Sequence, residues 1–164
     1  MSPEVFVSYT HDSDQHKQNV IALVSDLRMN GINARLDQEV NGTPEVGWPA
    51  WMEERIRESS FVLVVCTETY KRRYELNERP GVGKGGTWEG GIIRQELYDG
   101  QGKNEKFAAV VFSESDKEHI PGPLRPHTHY VYPRDNGALI RWLTDQPAYL
   151  PPPLGKIPKL PPNP

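Results

Sequence analysis

The segment Gly81-Val-Gly-Lys-Gly-Gly-Thr-Trp-Glu-Gly-Gly-Ile-Ile-Arg-Gln-Glu-Leu-Tyr98 concentrates the residue types that chemistry uses. A glycine-rich loop leads into Trp88 and Glu89, and an apolar helical stripe follows. Gly81, Gly83 and Gly86 satisfy G-x-G-x-x-G, but that dinucleotide fingerprint requires a strand that runs straight into the glycine turn. Here the preceding apolar run ends at Cys66, about fifteen residues upstream, so the dehydrogenase reading is rejected. A P-loop is rejected too, because Lys84 is followed by Gly85 and not by Ser or Thr. What remains is a carboxylate, Glu89, near a helix start, where the helix dipole also favours it for structural reasons alone. Glu96, seven residues on, lies on nearly the same helical face and is a second candidate. His11, His16, His119, His127 and His129 form no metal-ligand spacing with Cys66. No Ser-His-Asp or Cys-His arrangement is visible in linear order, although such sites assemble from distant residues.

The elements that must position these residues follow from periodicity. Val5-Phe-Val7 is a short β-prone run that gives way to the polar loop Ser8-Tyr-Thr-His-Asp-Ser13, suited to a helix cap. Val20, Leu23, Val24 and Leu27 recur at helical spacing and Asn30-Gly31 stops that helix. Ile32–Leu36 reads as a second strand closed by Asp37, and Trp48-Pro49 opens a second helix with proline near its first position. Phe61-Val-Leu-Val-Val-Cys66 lacks any alternation, as expected of a central parallel strand covered on both faces. A helix from about Trp88 to Tyr98, strands at Phe107–Phe112 and His129–Tyr132, and a last helix at Asn136–Leu143 complete an alternating β/α pattern. In such a sheet ligands bind beyond the carboxyl ends of the strands, where successive helices leave on opposite faces. If strand three pairs with strand one, as in the order 2-1-3-4-5, the crevice lies between them and its walls are Ser8–Ser13, Asp37 and its loop, and the region from Tyr70 to Glu89.

Totals exclude several classes. The 164 residues suit one domain, and 19 basic against 22 acidic residues leave a net charge of −3 with no footprint for nucleic acid or an anionic membrane. No apolar run reaches the ~20 residues of a membrane span, and MSPEVFVSY lacks the parts of a secretion signal. A single cysteine, Cys66, in an apolar run suggests a buried reduced thiol and a cytoplasmic protein. Residues 1–146 are read as the domain. Residues 147–164, AYLPPPLGKIPKLPPNP after Pro147, tend to extended polyproline II and read as an interdomain linker, with a docking peptide for a proline-reading module as the sharper alternative.

Five blocks in order resemble a bacterial SEFIR domain, the sister group of Toll/interleukin-receptor (TIR) domains. They are Val5-Phe-Val-Ser-Tyr-Thr-His-Asp-Ser13, Ala34-Arg-Leu-Asp-Gln38, Gly47-Trp-Pro-Ala-Trp-Met-Glu53, Val64-Val-Cys-Thr-Glu-Thr-Tyr70 and Gly86-Thr-Trp-Glu-Gly-Gly-Ile92. The resemblance spans about residues 3 to 146. It implies a flavodoxin-like three-layer α/β fold with a parallel five-stranded sheet of order 2-1-3-4-5. It also implies one of two activities: NAD cleavage by a self-assembling effector in antiphage defence, or non-enzymatic homotypic adaptor binding. A nucleotide sensor without turnover is a third class. A sensor or oligomerising module fused beyond the tail is the implied partner.

TIR enzymes place their catalytic glutamate four residues after a tryptophan. Here Glu89 follows Trp88 directly and Ile92 holds the fourth place; the SEFIR-like block G-x-W-E-x-x-I-I matches better, and that resemblance carries the role to Glu89, with Glu96 in reserve. The implied reaction breaks the nicotinamide–ribose bond of NAD, the substrate, through an oxocarbenium-like transition state that a carboxylate stabilises. No cofactor or metal is implied. The implied binding set is Ser8, Tyr9, Asp37, Trp48, Tyr70 and Trp88, the aromatics for ring stacking and the Ser8–Asp12 amides for phosphate. Linear and cyclic ADP-ribose products both stay open.

Overall fold

In the computed structural model, which describes residues 3–37, 42, 44–74 and 106–163, five strands form one parallel sheet of order β2-β1-β3-β4-β5. The strands are β1 (Glu4–Ser8), β2 (Asn33–Arg35), β3 (Phe61–Val65), β4 (Phe107–Val111) and β5 (His129–Val131). Each ends within one residue of its expected boundary: β1 gains Glu4 and Ser8 in the ladder, while the other four strands are one residue shorter at one or both ends.

Alternation hidden in the uniformly apolar strands builds two cores. Val5, Val7, Leu63, Val65, Ala108 and Val110 face α1 (Asp14–Met29) and the last helix, Asn136–Leu143. Phe6, Val62, Val64, Phe107, Ala109 and Val111 face Ile56 of α2 (Trp48–Glu58) and Tyr70 of α3 (Glu68–Tyr74). A strand's side chains point alternately to opposite faces, so apolar residues at every position mean that both faces are covered. The three layers expected from the sequence follow directly.

Local signals set the helix ends. Ser13 caps α1 by accepting from the His16 amide at 3.0 Å, and Val20, Leu23, Val24 and Leu27 form its buried stripe. Gly31 at φ 82° closes it, in a left-handed conformation that glycine adopts without steric cost. Pro49 sits in the first turn of α2, where its missing amide hydrogen is no loss.

Three elements were not expected. The polar run after Thr67 forms α3, begun by the Thr67 hydroxyl accepting from the Tyr70 amide at 3.2 Å. Two 3-10 turns, Glu114–His119 and Gly122–Leu124, follow β4 and bring Ile120 and Leu124 into the second core. These stretches are too short to repeat an apolar period. The helix expected from Trp88 to Tyr98 lies outside the described residues.

After Leu143 the fold runs out. Residues 147–163 form no helix or strand and stand exposed, with Leu154 and Ile157 almost fully so.

Candidate functional site

Ser8, Asp37 and Thr67 mark the carboxyl ends of β1, β2 and β3, on adjacent strands of the sheet. β1 pairs with β2 on one side and β3 on the other, and the helices that follow β1 and β3 lie on opposite faces. This is the switch point at which open α/β sheets bind ligands.

Asp37 is the hub. It is 9% exposed, and its carboxylate accepts from the Tyr9 hydroxyl at 2.8 Å and meets His11 Nε2 at 2.7 Å. The His11 ring lies over Tyr9 with centroids 5.0 Å apart and a 32° tilt. A buried carboxylate is costly unless donors satisfy it, and these two do so. The His11 side chain is 46% exposed, so the network reaches from the core to the surface.

A second group of hydroxyls lies toward β3. Ser8 Oγ and the Tyr70 hydroxyl are 2.7 Å apart, both buried. Thr10 donates to Asp12, and its oxygen is 3.3 Å from that of Thr67. Removing either hydroxyl breaks this buried hydrogen bond, so Tyr70→Phe and Ser8→Ala are each expected to cost about 1 to 2 kcal/mol. The double variant should cost measurably less than the sum, because the pair is lost only once. Urea denaturation of the four proteins measures this, and strict additivity would sink the coupling.

The expected binding residues divide. Ser8, Tyr9, Asp37 and Tyr70 converge on the crevice, but Tyr9 and Tyr70 are 7% and 0% exposed, with rings packed in the two cores. Burial fits them for shaping the crevice and holding its polar groups more than for stacking on a ligand. Trp48 opens α2. Trp51 packs edge-on against Phe6 at 5.8 Å. Trp88, Glu89 and Glu96 lie outside the described residues. Of the loop amides expected to hold phosphate, that of Asp12 already donates to the Thr10 carbonyl at 2.9 Å.

His11 was not singled out in the sequence beyond its failure to fit a metal spacing. The signal was present in the order of elements: His11 follows the first strand, Asp37 follows the second, and the strands are neighbours. Among the described residues no cluster of three or more His, Cys, Asp or Glu is arranged to hold a metal.

His16, in the first turn of α1, is 9% exposed, and its Nε2 makes no hydrogen bond. It lies between Tyr9 and Phe112, with ring centroids 6.2 and 5.7 Å away. Burial lowers its pKa below the usual 6.5, with Asp12 and Asp116 pulling the other way. A lowered folded value means that the unfolded chain binds the proton first. Stability is therefore full above 6.5 and falls as the pH drops from 6.5 toward the lowered value. His16→Phe is expected to flatten the melting temperature between pH 7.5 and 5 relative to wild type. Parallel curves would show that His16 does not carry this slope. The Cys66 thiol is likewise buried, and burial pushes its pKa up, which makes it a poor nucleophile.

A family model for the SEFIR domain matches residues 3–143, almost the whole folded part of the chain. The chain belongs to the SEFIR domain family. A prokaryotic SEFIR domain of known crystal structure is similar at 28% identity and TM-score 0.64, over 87% of this chain and 99% of that one. The SEFIR domain of interleukin-17 receptor B, at 13% identity and TM-score 0.62 over 87% and 95% of the two chains, shares the fold. So does a TIR-STING receptor from C. gigas, at 16% identity and TM-score 0.61, over 87% of this chain and 40% of that one. Human interleukin-17 receptor D is 27% identical over 143 residues, which cover 78% of this chain but only 19% of the receptor. This SEFIR domain thus corresponds to a small part of that relative. No helix among the described residues is long and apolar enough to cross a membrane.

Proposed function

We infer that this SEFIR domain cleaves NAD at the nicotinamide–ribose bond once it has assembled, with Glu89 as the carboxylate that stabilises the cationic transition state. The observation that carries this reading is the polar constellation at the β1/β3 switch point. Asp37 holds Tyr9 at 2.8 Å and His11 at 2.7 Å, and Ser8 is paired separately with Tyr70 at 2.7 Å, beyond the carboxyl ends of the strands where a nucleotide would enter. Nicotinamide in NAD is already a cationic leaving group and requires no general acid. One carboxylate and a polar cradle are a sufficient minimum.

The test is chromatography of NAD incubated with wild type and Glu89→Gln at several protein concentrations. Nicotinamide released more than proportionally with wild-type concentration, and not by the variant, supports the reading. Intact NAD at every concentration sinks it.

A second reading, a non-enzymatic adaptor that binds other SEFIR or TIR domains, is favoured by the similarity to interleukin-17 receptor D. It predicts concentration-dependent association, lost on substitution in the loop after Asp37, with Glu89→Gln silent in every assay. In either case a sensing or assembling module beyond residues 147–163 would supply the trigger, and defence against phage is the setting that the enzymatic reading suggests.

A further inference from the structure

We propose that the segment from Leu154 to Pro162 is a docking peptide for an SH3-type module, a small domain that reads proline-rich chain in an aromatic-lined groove. This role is additional to that of the folded domain and stands whichever of the two functions above that domain has. Three observations carry it. Of the seven large hydrophobic side chains that stand exposed among the described residues, five fall in this tail: Tyr149, Leu150, Leu154, Ile157 and Leu160. Ile157 is 95% and Leu160 76% exposed, so neither is held by the fold, whose last helix ends at Leu143. A chain that serves only as a spacer is solvated by polar residues and gains nothing from such a row.

Their spacing is the second observation. Leu154, Ile157 and Leu160 recur every three residues, the period of polyproline II, which the surrounding prolines favour. Turns of that helix repeat at about 9 Å and give it three edges. Leu154, Ile157 and Leu160 form one edge, Gly155, Pro158 and Pro161 the next, and Lys156, Lys159 and Pro162 the third. Ile157-Pro158 and Leu160-Pro161 are therefore two apolar–proline pairs on one side, one turn apart, and Pro158 and Pro161 frame a P-x-x-P word. Aromatic slots accept such pairs at low entropic cost, because the extended helix is formed before binding. Charge is the third observation. Residues 147–163 hold Lys156 and Lys159 and no Asp or Glu, and the lysines occupy the remaining edge, clear of the slots and free to meet an acidic rim.

Full-chain wild type, Pro158→Ala with Pro161→Ala, and Lys156→Glu with Lys159→Glu are titrated by surface plasmon resonance against a panel of purified SH3 domains at low and high salt. Saturable binding of wild type is expected, weakened at least about 10-fold by the proline substitutions, which remove ring contacts and the preset backbone together. The lysine substitutions should weaken it comparably at low salt and remove most of its salt dependence. All three proteins should melt together, since the substituted residues stand outside the fold. Wild type that binds no member of the panel has a plain spacer here, and the proposal fails. Binding that either double variant leaves intact places the contact elsewhere and overturns it as well. So does self-association, read by size-exclusion chromatography, that the proline substitutions abolish while SH3 binding is absent, because a second copy is then the partner.

Discussion

On the proposed NAD-cleaving reading, replacing Glu89 by glutamine is expected to remove nicotinamide release by assembled protein, lowering the rate at least about 10²- to 10³-fold, or about 2.7 to 4 kcal/mol of barrier. The size follows from the charge at stake. As the glycosidic bond stretches, positive charge spreads over the ribose, and a carboxylate beside it interacts more strongly with that transition state than with the substrate. Glutamine preserves the shape and hydrogen-bonding reach of the side chain while deleting the charge. The variant should therefore melt within a degree or two of wild type, since at the helix start that the sequence predicts for Glu89 a carboxylate is worth only about 0.3 to 1 kcal/mol. Quantifying nicotinamide against time, beside a thermal melt, separates chemistry from folding. A variant that releases nicotinamide at the wild-type rate would pass the role to Glu96, and Glu96→Gln in the same assay would then show the loss.

The largest effect on stability is expected in the middle of the sheet. Leu63 on β3 is fully buried, flanked by Val7 of β1 and Ala108 of β4, and faces the core beneath α1. Leu63→Ala should cost about 2 to 5 kcal/mol, because the lost transfer energy adds to that of a cavity whose walls, three strands and a helix, relax only in part. Against a total of roughly 5 to 15 kcal/mol that is a large fraction. Glu54→Ala is the contrast: its ion pair with Arg55, at 3.1 Å, is 48% exposed on the carboxylate side, and such pairs contribute about 0 to 1 kcal/mol. Urea midpoints of the three proteins test this. Equal shifts in the two variants would mean that the central strand is not the keystone of the fold.

The sheet was legible from the chain because its signals are dense and local. Phe61–Cys66 has no polar residue to compromise either face, and Val20, Leu23, Val24 and Leu27 mark one face of α1 beyond confusion with a strand. Ser13, Gly31 and Pro49 bound their helices by chemistry that acts within a few residues. Where an element is short, the signal fails. Among the described side chains of α3 only Tyr70 is fully buried, and the turns that carry Ile120 and Leu124 inward have no recurring period.

The glycine segment around Glu89 shows a different limit. Its spacing was enough to reject two phosphate-binding motifs, and the resemblance of five ordered blocks to one family was enough to give Glu89 a role. The family then followed from a match over residues 3–143, and the fold from the strands on either side of this segment. The burial of Tyr9 and Tyr70 was the other surprise, because an aromatic near a crevice reads the same in sequence whether its ring packs inward or stands open.

By itself, then, the sequence determined the three-layer sheet, its order through the resemblance, the family, and the candidate carboxylate. These depend on patterns repeated within a strand or helix, or on words of five to nine residues, so they survive without coordinates. Only the tertiary structure decided that His11, Tyr9 and Asp37, 26 to 28 residues apart, form one hydrogen-bonded unit, and that Ser8 is held by Tyr70 across 62 residues. Such pairs carry no local period. They exist because β1 lies between β2 and β3, which brings the loops after all three to one edge, and because a buried carboxylate must find its donors from whatever neighbouring strands deliver.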